Sequence, residues 1–231
     1  ALPISGVMRR FDSVYNTVHK LINSGVIGTL ESIIQYAHTT LLHGHIHSID
    51  TISFLNNDIK IKGIRGHLST APAPWEPLTI SNDISFKNNK LESDPSSTFE
   101  IVFENGVKAW SIPTGKWGFE IIGTKGSIRT YENEREIILR QADKSLQRKV
   151  KGKIYSPYKS KNIPEEKPKS ATQEALEDLV NAFENNQTTK SNIEHSCEIF
   201  EICMAISESH KNNNSWISLP LKIRDTYIFH I

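Results

Sequence analysis

Between residues 38 and 50 the sequence gathers side chains suited to proton transfer or metal binding: His38, His43, His45 and His47, followed by Asp50. An imidazole titrates near neutral pH, so it can take up or release a proton under physiological conditions, and as the neutral ring it binds metals. Two arrangements are open. On a strand, His43, His45 and His47 would point to one face, as in metal sites built on an H-x-H pair. The helical spacing of Ile46, Ile49, Ser53 and Phe54 breaks that alternation, however, and no Asp or Glu cluster elsewhere completes a ligand set. On a helix, Asp50 lies one turn beyond His47 and can accept its N–H, which fixes the tautomer. A buried, hydrogen-bonded histidine and a capping carboxylate would leave the same trace. Arg9 and Arg10 precede the first helix, where Arg10 can reach a substrate hydroxyl or carboxylate, or simply pair with Asp12. Lys116 and Trp117 follow the turn Pro113-Thr114-Gly115 and offer a cation beside an aromatic platform, or a tryptophan packed on a sheet. Trp75 and Trp110 have no better claim.

The elements that must position these groups are legible in outline. Val14, Val18, Leu21 and Ile22 form a helical stripe, with Asp12 placed as N-cap and Gly25 just past the end. Leu30 to Ala37 reads as a strand, and so does Ile59 to Leu68, which opens Ile-Lys-Ile-Lys. Residues 69–97 carry four prolines and read as a long excursion. From Phe99 to Gln141 strand follows strand. Asn105-Gly106 is a hairpin signal, Gly123-Thr-Lys-Gly126 a second turn and Glu132 to Glu134 a third. Turns this short demand mainly antiparallel pairing. Thr172–Asn185 and Asn192–Lys211 read as the last helices. Ile193, Cys197, Phe200, Cys203, Met204 and Ser207 form the broad face expected against the sheet, and Trp216 to Leu219 a final short strand. The sum is an α+β fold in one domain over residues 1–231: a large, mainly antiparallel open sheet with helices on one face.

The 231 residues, 37% hydrophobic and 23% charged, exclude wholesale disorder. A formal net charge of +1 gives no electrostatic case for a nucleic-acid or membrane partner. The one biased stretch, Lys144 to Ser170, sets nine basic residues against Glu165 and Glu166, and is expected to be a solvated loop. No apolar run is long enough for a membrane span. Cys197 and Cys203, six apart on one helix, point to different faces, so buried free thiols in a reducing, cytoplasmic setting are expected. Ala1 to Gly6 contain no initiator methionine and no secretory pattern, as expected for a chain cut from a longer protein.

Four stretches, in this order, resemble the C-terminal domain of the Gfo/Idh/MocA family of oxidoreductases. They are Met8-Arg9-Arg10-Phe11-Asp12 leading through a helix to Ser24-Gly25-Val26-Ile27-Gly28; His47-Ser48-Ile49-Asp50 with Phe54-Leu55; Phe119-Glu-Ile-Ile-Gly-Thr-Lys-Gly-Ser-Ile128; and Ala175-Leu-Glu-Asp-Leu179 with the helix ending in Ser218-Leu219-Pro220-Leu221. The resemblance implies a glyceraldehyde-3-phosphate-dehydrogenase-like C-terminal domain whose helical face forms a substrate pocket. It further implies an N-terminal Rossmann domain that binds NAD or NADP, missing from this chain together with the family's catalytic lysine. No G-x-G-x-x-G fingerprint follows a strand and opens a helix here, so this chain alone is not expected to bind the cofactor. The implied substrate is a sugar, sugar nucleotide or cyclitol. The implied chemistry is hydride transfer between hydroxyl and carbonyl, with His47 as the proton-transfer group. Many members have an aspartate four residues before this histidine; here that position is His43, taken with His47 as the catalytic pair. Arg10, His45, Asp50, Lys116 and Trp117 are the substrate-contact candidates. The resemblance also implies a homo-oligomer built through the sheet. A non-catalytic binding or oligomerisation module is the alternative.

Overall fold

The computed structural model describes residues 8–69, 77–81, 92–131, 136–166, 169–222 and 227–230. Trp75, the first six residues, the turn at Glu132 to Glu134 and most of the excursion lie outside the described residues. After a 3-10 turn at Arg9–Phe11 the elements are α1 (Ser13–Asn23), β1 (Leu30–Tyr36), α2 (His45–Leu55), β2 (Ile61–Ser69), β3 (Pro77–Ser81), β4 (Glu92–Ser93), β5 (Ser96–Phe103) and β6 (Lys108–Ile112). They continue with β7 (Gly118–Gly123), β8 (Gly126–Tyr131), β9 (Glu136–Ala142), β10 (Arg148–Val150), β11 (Lys153–Tyr155), β12 (Tyr158–Ile163), α3 (Ala171–Glu184), α4 (Ile193–Lys211) and β13 (Tyr227–His230).

Eight strands form one sheet in the order β12-β9-β8-β7-β1-β6-β5-β2. Every pairing is antiparallel except β1 with β6. Those two are separated in sequence by α2 and by β2 to β5, the long connection that a parallel pair requires. Strand alternation places one residue from each of seven strands in a single buried row: Ile64, Ile101, Ala109, Ile33, Ile121, Ile128 and Leu139. In the next row Gln35 and Ser111 are both buried, and the Ser111 hydroxyl donates to Gln35 Oε1 at 2.6 Å. The opposite face carries Arg65, Glu100, Trp110, Ile34, Glu120 and Arg129 in register, none of them buried.

Helices α1, α2 and α4 cover the apolar face. Val14, Tyr15 and Val18 of α1, Ile49 and Ile52 of α2, and Ile199, Ile202 and Ile206 of α4 share one cluster with the sheet row. Asp12 caps α1 as the sequence requires, accepting the Val14 N–H at 2.8 Å, and Gly25 follows at φ +73°. Gly66 is demanded by close approach, since a Cβ there would lie 2.7 Å from Ile206. The free edge of β2 is closed by α4 and the segment after it. The N–H groups of Ile64, Gly66 and Leu68 donate to the Ile217 carbonyl, the Ser209 hydroxyl and His210 Nδ1.

Three expectations need correction. On α4, Ile193 and Phe200 are exposed and so is Cys197, while Ile199, Ile202, Cys203 and Ile206 face the core. Apolar residues ring much of this helix, so periodicity alone could not choose the inward face. Trp216 to Leu219 makes only an isolated bridge, Ile64 with Ile217. Lys144 to Ser170 is not a structureless loop. Arg148–Val150 and Lys153–Tyr155 pair as a hairpin, and Tyr158–Ile163 is an edge strand of the main sheet, where lysines are at home. Among the described residues no helix is long and apolar enough to cross a membrane.

Candidate active site

The 3-10 turn, the first turns of α2 and the start of α4 converge on one buried carboxylate. Asp50 is fully buried and accepts from Arg10 Nε at 2.9 Å and Nη2 at 2.5 Å, both on Oδ1. Arg10 itself is only 4% exposed; its Nη1 donates to the Lys190 carbonyl at 3.1 Å, and Asp58 lies 3.3 Å from Nη2. Burial opposes the guanidinium charge, but Asp50 and Asp58 together more than offset this and hold the Arg10 pKa above its ordinary value. Thus Arg10 and Asp50, both candidate substrate contacts in the sequence, form a buried ion pair. The sequence placed Asp50 as the N–H acceptor of His47; in the fold its histidine partner is His195.

His195 is a residue that motif reasoning missed. Its Nε2 stands 2.7 Å from Asp50 Oδ1 and 2.5 Å from Arg10 Nη2. A neutral ring protonated on Nδ1 accepts from Arg10, whereas a ring protonated on Nε2 donates to Asp50. No local signal marked it: His195 shares the i, i+4, i+7, i+11 stripe with Ile199, Ile202 and Ile206, but that this stripe faces inward is known only from the fold. Asp94 was missed too. It is buried, and its carboxylate accepts the N–H groups of Leu42 and His43, which fixes the turn that leads into α2.

The three alternating histidines diverge. His45 has no exposed surface. Its Nε2–H donates to the Ser97 carbonyl at 2.9 Å, Nδ1 faces the Ser48 hydroxyl at 3.3 Å, and the ring packs edge-on to Phe99. Burial pushes its pKa down to about 4, so the ring is neutral and ties the first turn of α2 to β5. His45 therefore sits in the core, and the expected substrate contact does not suit that position. His43 is exposed. His47 is half-buried, and its pKa is lowered by burial, then by Arg9 and His43, against an opposing pull from Asp50. This divergence removes the H-x-H metal arrangement, and no group of three His, Cys, Asp or Glu among the described residues could hold an ion.

Arg9 connects His47 to Trp117. Its guanidinium lies 5.2 Å from the centre of the Trp117 ring, and its charge is felt by His47. Trp117 is half-buried, donates its indole N–H to the Tyr15 hydroxyl at 3.0 Å and packs edge-on to Phe119, while Lys116 is exposed on the preceding turn. His47, Arg9 and Trp117 thus share one neighbourhood, with His43 near enough to act on His47 through its charge. A separate cleft of about 420 Å³ lies between the end of α2, the start of β2 and α4; His195, Asp58 and Lys60 line it, and neither His47 nor Trp117 does. His195, which lines this cleft, is in contact with both Asp50 and Arg10.

Gly123 and Gly126 belong to a strand-to-strand turn. Gly123 to Gly126 joins β7 to β8 with no helix following, and a Cβ at Gly126 would lie 2.3 Å from the Arg140 carbonyl. These positions serve strand packing and offer no helix N-terminus to a pyrophosphate.

No family model matches the sequence, and no curated protein sequence is close enough to count as a match. Solved structures do match. Levoglucosan dehydrogenase in complex with NADH and L-sorbose superposes with a TM-score of 0.64 at 19% identity, over 93% of this chain and 64% of that one. Aldose-aldose oxidoreductase from Caulobacter crescentus complexed with glycerol gives 0.67 at 13%, over 94% and 64%. A super-repressor mutant of Gal80p from Saccharomyces cerevisiae gives 0.69 at 12%, over 94% and 66%. The chain spans about two thirds of the length of these structures, and what it shares with them is the fold: an α+β unit with a large, mainly antiparallel sheet.

Proposed function

We propose that this chain is the substrate-binding domain of a Gfo/Idh/MocA oxidoreductase that uses NAD or NADP held on an adjoining unit and acts on a sugar, sugar nucleotide or cyclitol. The observation that carries this reading is His47, a half-buried imidazole with a lowered pKa beside Arg9 and Trp117. A neutral ring can take the hydroxyl proton as hydride leaves the same carbon, and the hydride acceptor belongs to the adjoining unit. Trp117 offers an aromatic wall, and Arg9 or Lys116 a donor to ligand oxygens. Arg10 and Asp50 act from behind, by fixing α2 against the 3-10 turn. Two fold neighbours support the substrate class, one named with L-sorbose and one with glycerol. The half-buried outer face of the sheet around Trp110 and Ile34 is the proposed surface for a homo-oligomer, and the free thiols of Cys197 and Cys203 suit a cytoplasmic protein.

The test is NAD(P)H formation across a sugar panel by this chain joined to its dinucleotide-binding unit. Turnover is expected with at least one sugar, and His47→Ala should lower kcat by about 100-fold or more while the fold stays intact. No turnover with any sugar argues against the proposal, and so does turnover that His47→Ala leaves unchanged.

One observation favours a second reading, a non-catalytic binding module. In many members of the family an aspartate occupies the place of His43. A carboxylate there would orient His47 and support the imidazolium that forms as it takes a proton, and the imidazole of His43 cannot replace that negative charge. A repressor, Gal80p, shares the fold. Sugar binding with no NAD(P)H formation in the joined protein would select this reading.

A further inference from the structure

Helix α3 stands apart from the layer formed by α1, α2 and α4. Only Ala175 and Ala182 of its residues are buried, and it packs on the turn at Arg9–Phe11. Its apolar side chains at helical spacing point outward: Leu176 is 58% exposed, Val180 53% and Phe183 77%. Leu176 and Val180 line a shallow depression together with Gln173, Glu177 and Asn181, all on α3 itself, so nothing among the other described residues covers it. Carboxylates rim the stripe: Glu174 and Glu177 meet Lys169 at 3.0 Å, and Asp178 and Glu184 lie further along the helix.

The hairpin β10–β11 has the opposite character. Every residue of both strands is exposed. The register places Arg148 opposite Tyr155 and Val150 opposite Lys153, so one face presents two cations and two apolar side chains. Ile154, on the other face beside Lys149, is 70% exposed. Lys151 and Gly152 turn the hairpin with positive φ at both positions, the tight turn whose twist matches that of the two strands. Residues 144–163 contain seven of the chain's 27 Lys and Arg and none of its 26 Asp and Glu, leaving 20 basic against 26 acidic residues elsewhere.

We infer that the basic hairpin of one copy docks on the acid-rimmed apolar stripe of α3 in a second copy, and that reciprocal exchange closes a two-fold dimer. Both surfaces are exposed within one chain, so they do not cover each other there. Their charges are opposite and each offers large apolar side chains, which complement one another between copies. A closed two-fold pair uses both contacts and leaves neither surface open. The charge balance argues for this occupant over a polyanion: outside the hairpin the chain is net acidic and would repel phosphate backbones. The inference does not depend on the proposed activity, nor on assembly through the outer face of the sheet.

Sedimentation equilibrium of the 231-residue chain at two ionic strengths tests it. A dimer is expected whose dissociation constant rises with salt. Phe183→Asp should raise that constant by about tenfold or more, and so should Arg148→Glu combined with Lys153→Glu. All three positions are exposed, so far-UV circular dichroism should not change. Mixing the charge-reversed hairpin with a Glu177→Lys, Glu184→Lys chain should restore a heterodimer, which a merely misfolded variant could not do. A monomer at every concentration overturns the inference. So does a dimer that Trp110→Asp on the outer sheet face abolishes and the hairpin and α3 variants leave intact. Binding of a DNA duplex or of anionic vesicles by a monomeric chain, lost on charge reversal of the hairpin, would assign the hairpin to another partner and overturn it equally.

Discussion

His45 and His47 lie two residues apart on the same helix turn, yet the fold treats them oppositely. The ring of His45 is sealed between α2 and β5 with both nitrogens engaged, and it gives up its charge. His47 keeps an accessible edge and meets Arg9, with Trp117 beyond it. A helix rotates successive residues by about 100°, so a two-residue step turns the ring from core to surface. Adjacency in sequence therefore says little about shared chemistry: one histidine builds the platform and the other is proposed to use it. Behind both, Asp50 holds the platform to Arg10 and His195.

The comparison is broken most severely by removing that support. Asp50→Ala leaves the Arg10 guanidinium buried without its principal partner and should cost about 3–5 kcal/mol in urea unfolding. A cost under about 1 kcal/mol would mean that Asp58 and the Lys190 carbonyl already satisfy Arg10. The next effect belongs to His45. Its folded pKa of about 4 lies below the ordinary 6.5, so the fold prefers the neutral ring. The stability this brings is complete above pH 6.5 and is lost as pH falls toward 4, by roughly 3 kcal/mol. His45→Gln should flatten that part of the pH–stability curve. A curve unchanged in shape would show that His45 is not the group titrating.

What the sequence disclosed and what it withheld follow one physical division. Local signals were sound: the Asp12 cap, the turn at Gly25, the hairpin at Asn105-Gly106 and the strand alternation all act over a few residues. The partners of Asp50 lie 40 and 145 residues away, and no local pattern names them. The apolar ring around α4 hid which side faces the sheet. The lysines of residues 144–163 suggested solvation, although an edge strand and a hairpin expose such side chains as fully as a loop does. His47 was singled out by its motif, but its half-burial and the influence of Arg9 are products of tertiary packing.

The central proposal is that His47 is a neutral, ligand-accessible base, and a two-dimensional NMR titration of its ring in the 231-residue chain tests it most directly. The account predicts a midpoint below 6.5 that moves when a sugar or polyol is added, while His45 stays neutral throughout that range. A midpoint at or above 6.5 that no sugar shifts would contradict it.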